Sequence, residues 1–256
     1  MKVSIITPSY NQKNFIAQTI ESVINQRGDF ELEYIIIDGS STDGSIDIIK
    51  KYAAMDARIK WLSEEDRGQS HAINKGLKMA TGDIVAYLNS DDVYLKDALK
   101  KLVAEFSKQK DLKWLYGGCN IIDESGDETR GIITKYKEWL GKKYSYNKLL
   151  VVNFISQPAV FWRRDLLDEI GFINEDEHLV MDYEYWCRLG KKYQPYKLTD
   201  NIAAFRSYTD NKSSQGFVKQ FKREAQIAKK YSNSFILNIL HLIHVGGIIM
   251  IYKIIS

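Results

Sequence analysis

Residues Asn89-Ser-Asp-Asp92 end an apolar run, Ile84 to Leu88, that reads as a buried β-strand. Two adjacent carboxylates at the end of such a strand are costly to desolvate unless a cation offsets them. The carboxyl edge of an open α/β sheet is also where ligands collect. Asp91 and Asp92 offer hard oxygen donors, which suit magnesium or manganese holding a phosphorylated substrate.

The flanking elements decide whether such an edge exists. Val3 to Thr7 is a β-rich run stopped by Pro8, and Phe15, Ile16, Ile20, Val23 and Ile24 then recur at helical spacing. Tyr34 to Asp38 is a second buried strand, closed by the turn-forming Gly39-Ser-Ser-Thr-Asp-Gly44. The sequence predicts a helix from Ser45 to about Ala54, a short strand at Ile59 to Leu62, a helix carrying Ala72, Ile73, Leu77 and Met79, and then the strand ending at the acid pair. Strand and helix alternate four times, the pattern of a parallel, doubly wound sheet. Its carboxyl edge would gather Thr7, Tyr10 and Asn11, then Asp38, then Asp66 and Arg67, then Asp91 and Asp92. Each is also an ordinary turn residue, and the argument rests on four in succession. No Gly-x-Gly-x-x-Gly follows the first strand and no Walker-type Gly-Lys-Ser is present, so a bound diphosphate would rely on a metal.

Farther on, Trp114 to Ile122, a turn at Asp123 to Gly126 and Ile132-Ile133 read as a strand pair. Gln157 to Trp162 reads as a strand, Arg164 to Ile170 as a short helix, and Asp182 to Lys191 as a helix. Pro195 to Leu198 and Ile202 to Phe205 read as two short strands, and Gln215 to Tyr231 as a charged helix. No linker separates independent domains.

The totals set limits. The 256 residues carry 36 Lys plus Arg against 33 acids, and a net charge of +3 gives no reason to expect nucleic acid. Cys119 and Cys187 read as two thiols of a reducing compartment. The first apolar run is too short for a secretory signal, which predicts a cytoplasmic protein. Phe235 to Ile255 is nearly continuously apolar but carries Asn238, His241 and His244 three residues apart. That spacing puts them on one helical face and favours a helix lying in the headgroup region of a membrane, with Arg223, Lys229 and Lys230 upstream to meet anionic lipid. Packing on its own domain, pairing with a second copy as a homodimer, and a membrane span are the other readings.

Several stretches together resemble the family 2 glycosyltransferases. They are Ser4-Ile-Ile-Thr-Pro-Ser-Tyr-Asn11, Ile36-Ile-Asp-Gly-Ser-Ser-Thr-Asp-Gly-Ser45, Asp66-Arg-Gly-Gln-Ser70, Ala72-Ile-Asn-Lys-Gly76, Leu88-Asn-Ser-Asp-Asp92, Gly171-Phe172 and Met181-Asp-Tyr-Glu-Tyr-Trp-Cys-Arg-Leu189. The resemblance spans about Lys2 to Ser214, in the family's order. It implies the GT-A fold, a Rossmann-like, mostly parallel α/β sheet flanked by helices. It implies a glycosyltransferase domain over 1–214, divided into a nucleotide-sugar half (1–110) and an acceptor half (111–214), with C-terminal helices over 215–256.

The resemblance further implies a nucleotide-diphosphate sugar donor, a UDP-sugar by preference; the apolar tail adds the expectation of a lipid-linked or saccharide acceptor in cell-surface polysaccharide synthesis at the inner face of the plasma membrane. Thr7, Pro8 and Tyr10 would line the base pocket and Asp38 would accept from the base. Asp66 and Arg67 would lie against base and phosphates. Asn89, Ser90 and Asp91 occupy the family's Asp-x-Asp motif, with Asp91 the ligand of Mn2+ or Mg2+ and Asp92 on ribose, metal-bound water or donor sugar. Asp182 would be the base of an inverting displacement; without the resemblance, an Asp before an apolar-periodic segment reads first as a helix N-cap. Trp186 could wall the acceptor site or fill the core, and His178 could reach an acceptor. Two positions depart from the family. Asn89 replaces its first Asp, and Tyr208 stands where relatives often place a metal-binding His. No Gln-x-x-Arg-Trp signature of processive relatives is present, so transfer of a single sugar is expected. Nucleotidylyl transfer and a sugar-binding module that has lost catalysis are the alternatives.

Overall fold

The computed structural model describes residues 1–208 and 217–255. An eight-stranded mixed sheet forms the centre. Strands β1 (Lys2–Ser9), β2 (Glu31–Asp38), β3 (Ile59–Ser63) and β4 (Ile84–Tyr87) make the first half. Strands β5 (Val93–Tyr94), β6 (Trp114–Ile122), β7 (Val160–Arg163) and β8 (Tyr196–Arg206) complete it, in the order β3-β2-β1-β4-β7-β6-β8-β5. The first four strands are parallel, β7 runs antiparallel to both β4 and β6, and β8 is parallel to β6.

Strand pleating explains why both faces are covered. On β1, β2 and β4, Ile5, Ile36, Ile84 and Ala86 point to one face and Ile6, Ile35, Ile37 and Val85 to the other, and all are buried. The first face packs on α1 (Ile16–Ile24), α2 (Ser45–Met55) and α4 (Ala98–Lys108). The second packs on α3 (Gln69–Met79) and on helices of the second half: α6 (Tyr146–Val151), α7 (Leu166–Ile170), α8 (Met181–Lys192) and α9 (Phe217–Tyr231). Between these lies α5 (Gly131–Gly141), and α10 (Phe235–Ile255) closes the chain.

The order β3-β2-β1-β4 reverses at β1, so a crevice opens between the carboxyl ends of β1 and β4. It lies between the Tyr10 loop and the acid pair.

Several expectations change. Ile132 and Ile133 are helical, within α5; β6 meets only an isolated bridge between Ile122 and Glu128 after the Asp123 turn. The two expected short strands after Pro195 are one strand, β8, which absorbs its irregularity as a register shift opposite Gly118. The helix α4, with Leu99, Leu102, Val103 and Phe106 buried at helical spacing, was not read from the sequence, nor was α6. The Thr209 to Ser214 stretch and the expected helix start at Gln215 lie outside the described residues. No helix among the described residues is long and apolar enough to cross a membrane.

The polar stripe of α10 meets the rest of the chain. His241 is 2% exposed with its Nδ1 2.8 Å from the Leu150 carbonyl, and His244 stacks on Tyr136. The polar face therefore packs on the protein. Phe235, Ile236, Ile239, Leu240, Leu242, Ile243 and Met250 are its large apolar side chains left exposed.

Candidate active site

The donor end of the crevice is built from two loops bonded to each other. After β1, the backbone N–H groups of Asn11, Gln12 and Lys13 donate to Ser41 Oγ (2.8 Å), Ser45 Oγ (2.9 Å) and Asp43 Oδ2 (2.8 Å). Asn11 Oδ1 accepts from Thr42 N in return, at 2.9 Å. The Ser/Thr/Asp composition that marked a turn is therefore a set of acceptors for a neighbouring loop.

At the end of β2, buried Asp38 accepts from Ser41 N (2.9 Å), Ser41 Oγ (2.6 Å) and Ser63 Oγ (2.8 Å), which fixes its plane. A Cβ on Gly39 would come 2.7 Å from Asp66 Oδ2 and 3.4 Å from the Tyr10 ring. Tyr10, 63% exposed, and Asp66 thus flank a bare backbone patch beside Asp38, a slot suited to a planar heterocycle. Asp66 is held by the N–H of Gly68 at 2.7 Å, and Arg67 pairs with Glu175 at 2.6 Å while largely exposed. Thr7 is buried and its hydroxyl accepts from Tyr34, so its side chain lies inside the sheet. Pro8 continues β1 toward Tyr10.

The acid pair divides into two environments. Asp92 is fully buried: its Oδ1 accepts from the backbone N of Arg206 (2.9 Å) and its Oδ2 from Asn89 Nδ2 (3.1 Å). Burial, then the neighbouring Asp91 charge, push its carboxyl well above the usual carboxylate range. Asp91 is half-buried; burial raises it too, opposed by a hydrogen bond from the Tyr208 hydroxyl to Oδ2 at 3.0 Å. Ser90 is buried between them and the strand. Arg206 runs beneath, donating from Nε to the Asp91 carbonyl at 2.9 Å, with its guanidinium 4.9 Å from the Phe15 ring centre.

Among the described residues no group of three or more His, Cys, Asp or Glu side chains converges as a metal cage. The donor set here is the Asp91 carboxylate with the Tyr208 hydroxyl beside it. A hard cation binding through one carboxylate, with phosphate oxygens and water completing its shell, fits this set; an all-protein site does not.

Asp182 lies in the first turn of α8, whose N-cap is Val180, so it is not the capping residue. Tyr87, the last residue of β4, is fully buried. That buried hydroxyl is pushed well above its ordinary value by burial first, then by the charges of Asp182 and Asp92. The start of α3 touches both regions: Gln69 donates to Asn89 and Ser70 Oγ to Met181 Sδ, so the first turn of α8 lies near the end of β4. His178 borders Gly68, with Nδ1 3.8 Å from where a Cβ would sit. Trp186 takes the second of its two readings: it is fully buried, stacked on Trp114 at 6.1 Å and 12°, and packs in the core.

Sequence reasoning missed several residues that hold the site. Gln157 accepts from Asn89 Nδ2 at 3.2 Å and donates to the Tyr87 carbonyl at 2.7 Å. Gln69 donates to Asn89 Oδ1 at 2.7 Å, and Arg206 underlies the acids. Their partners are 20 to more than 100 residues away in the chain, and no local spacing signals them.

The family model described as glycosyl transferase family 2 matches residues 4–171. A Bacillus subtilis protein named as a teichuronic acid biosynthesis glycosyltransferase, TuaG, is 32% identical over 83% of this chain and 81% of its own length. Chondroitin synthase of Escherichia coli is 29% identical over 78% of this chain, which spans 28% of that longer protein. Among solved structures, Staphylococcus aureus TarS 1-349 in complex with UDP-GlcNAc superposes with a TM-score of 0.67 at 22% identity, covering 89% of this chain and 66% of that one. The mannosyltransferase PcManGT of Pyrobaculum calidifontis, in complex with GDP-Man and Mn2+, gives a TM-score of 0.72 at 19% identity, covering 93% and 68%. These last two likenesses concern the fold, which is GT-A. With its motifs in family order and its acids at the switch point of a GT-A sheet, this chain belongs to glycosyltransferase family 2.

Proposed function

We propose that the protein is an inverting, divalent-cation-dependent glycosyltransferase that moves one sugar from a UDP-sugar to a hydroxyl of a cell-surface polysaccharide or its lipid-linked precursor. The observation that supports this reading is the start of α3, where Gln69 bonds to Asn89 beside the acid pair and Ser70 bonds to Met181 beside Asp182. A base and the donor-side acids at one strand end are what a single displacement requires.

The base would sit between Tyr10 and Asp66 over Gly39 and donate its ring N–H to Asp38, whose orientation Ser41 and Ser63 have already fixed. Thr7 and Pro8 would shape the strand below, and Arg67, with a rigid fork of donors, would meet phosphate. Asp91 would hold the cation, Mn2+ or Mg2+, which when bound stabilises charge on the departing diphosphate. Asn89, Ser90 and Asp92 would keep that carboxylate in place. Asp182 takes the proton of the acceptor hydroxyl as that oxygen attacks the anomeric carbon, and inversion follows from a single displacement. His178, near Gly68, lies on the acceptor side of this path.

The exposed apolar face of α10 would rest on a bilayer surface. Exposed Ile132, Tyr136 and Trp139 of α5 supply amphipathic and aromatic contacts beside it, and exposed Lys135, Lys142, Lys143, Lys229 and Lys230 complement anionic headgroups.

The test is a thermal-shift screen of UDP-, GDP- and TDP-sugars with and without MnCl2, followed by NMR assignment of the product anomer. A UDP-sugar should raise Tm in a manganese-dependent way that Asp91→Ala removes. Asp182→Asn should keep donor binding and lose transfer. Retained turnover in Asp182→Asn, or retention of configuration, overturns the mechanism.

A further inference from the structure

Helix α9 brings a carboxyl group to the acceptor side that family motifs do not include. Glu224 is 4% exposed and accepts from Asn153 Nδ2 at 3.3 Å. The helix carrying it is tied to α8 and to the segment just before α8, on either side of that residue. Arg223 makes a two-pronged pair with Glu177 (2.7 and 2.8 Å), next to His178, and the Tyr231 hydroxyl donates to Glu184. Glu224 shares a helical face with buried Ile227 and Ala228 and lies between these two ties, so it packs along the start of α8, whose first turn carries Asp182.

We propose that Glu224 is a positioning residue for Asp182, a second carboxyl group whose charge state sets how readily Asp182 accepts a proton from the acceptor. The inference rests on Asp182 being the base. Burial, with the Asp182 charge adding to it, pushes Glu224 up to about 7, against hydrogen bonds from Asn153 and Gln220 and the charge of Lys137. The other groups on the packed elements are engaged elsewhere: Tyr183 donates to the Leu149 carbonyl, Lys148 of α6 to the Leu140 and Lys143 carbonyls, and His241 of α10 bonds to the Leu150 carbonyl. Below pH 7 Glu224 is a neutral acid beside the Asp182 anion. Above it two anions face each other, and their repulsion is relieved when Asp182 takes a proton. The O–H bond of the acceptor breaks, an O–H bond forms on Asp182, and Glu224 gains and loses nothing in the step.

The test uses the full chain and two readouts. In the first, hydrolysis of UDP-GlcNAc with MnCl2 has water stand in for the acceptor. The ratio of wild-type to Glu224→Gln kcat should grow about five- to tenfold between pH 6 and 8, with the donor KM unmoved. A constant ratio overturns the proposal. In the second, the side-chain carboxyl 13C signal of Glu224 is titrated; its midpoint near 7 should fall by about one unit or more in Asp182→Asn. An unmoved midpoint overturns the proposal even if the glutamine variant does not fold. Loss of hydrolysis in Asp182→Asn with an unmoved Glu224 midpoint would leave the base assignment standing and remove only Glu224 from it. Full hydrolysis in Asp182→Asn would remove the base assignment itself.

Discussion

Replacing Arg206 with methionine, which keeps most of the volume and removes the charge, tests whether the acid pair depends on a buried cation of the protein. The side chain is 1% exposed and donates to four acceptors: the carbonyls of Asp91 (2.9 Å), Asp123 (2.8 Å) and Glu124 (2.9 Å), and Gln18 Oε1 (2.7 Å). Removing it strands these oxygens and leaves Asp91 and Asp92 without the positive charge that opposes their desolvation. Breaking a buried ionic site of this kind costs about 3–5 kcal/mol. At roughly 2–4 °C per kcal/mol for a chain of this size, Tm should fall by roughly 6–20 °C. The variant should also gain more from MnCl2 than the wild type does, because the cation replaces part of the lost charge. Circular-dichroism melts with and without MnCl2 measure both effects. A loss below about 1 kcal/mol, with the same manganese response as wild type, would refute the role given to Arg206.

Three further outcomes follow from other parts of the molecule. Gly39→Ala places a methyl group 2.7 Å from Asp66 Oδ2, so calorimetry should show UDP binding weakened at least about tenfold while Tm moves by less than about 3 °C. Glu33 is opposed by burial but held down at about 2 by hydrogen bonds from Lys60, Ser4 and Thr81. Its stabilisation, about 3 kcal/mol, is fully present above pH 4.5 and lost as pH falls through about 2, so Glu33→Gln should flatten the acid limb of a urea-stability profile. Ile239→Lys with Ile243→Lys should abolish co-sedimentation with phosphatidylglycerol vesicles and leave Tm nearly unchanged, since both side chains are exposed. Loss of a dimer in gel filtration, with vesicle binding intact, would identify a second copy as the partner of that face.

How far the sequence disclosed this architecture depended on locality. β1, β2 and β4 are buried on both faces, so they appear as continuous apolar runs, and the polar residues ending them fall at one edge because parallel strands share their carboxyl ends. In the second half β7 is antiparallel to both neighbours and β8 crosses to lie beside β6, so strand ends there do not gather in chain order. Ile132-Ile133 suggests a strand because β-branched side chains favour strands, whereas the structure places it at the start of α5, with Ile132 exposed. Trp186 stayed ambiguous for a different reason. An aromatic residue on an amphipathic helix lines a site or fills a core according to what lies opposite, and here that is Trp114, 72 positions away.

Asn89 shows how the two acids explain the residue that departs from the family's motif. Its Nδ2 donates to Asp92 Oδ2 and to Gln157 Oε1, and its Oδ1 accepts from Gln69. A carboxylate at 89 could keep the bond from Gln69, but it would turn two donated bonds into contacts between like-polarity oxygens. One of these would face the fully buried Asp92. Asn89→Asp should therefore cost about 2–4 kcal/mol without a cation, from two lost hydrogen bonds and the added repulsion. MnCl2 should return part of that stability, because a third carboxylate at the strand end is offset only by added positive charge. The comparison is a urea titration of both proteins with EDTA and with manganese. Equal stability in EDTA would mean that Asp92 does not need an amide donor, and that the division between a locked Asp92 and an open Asp91 is wrong.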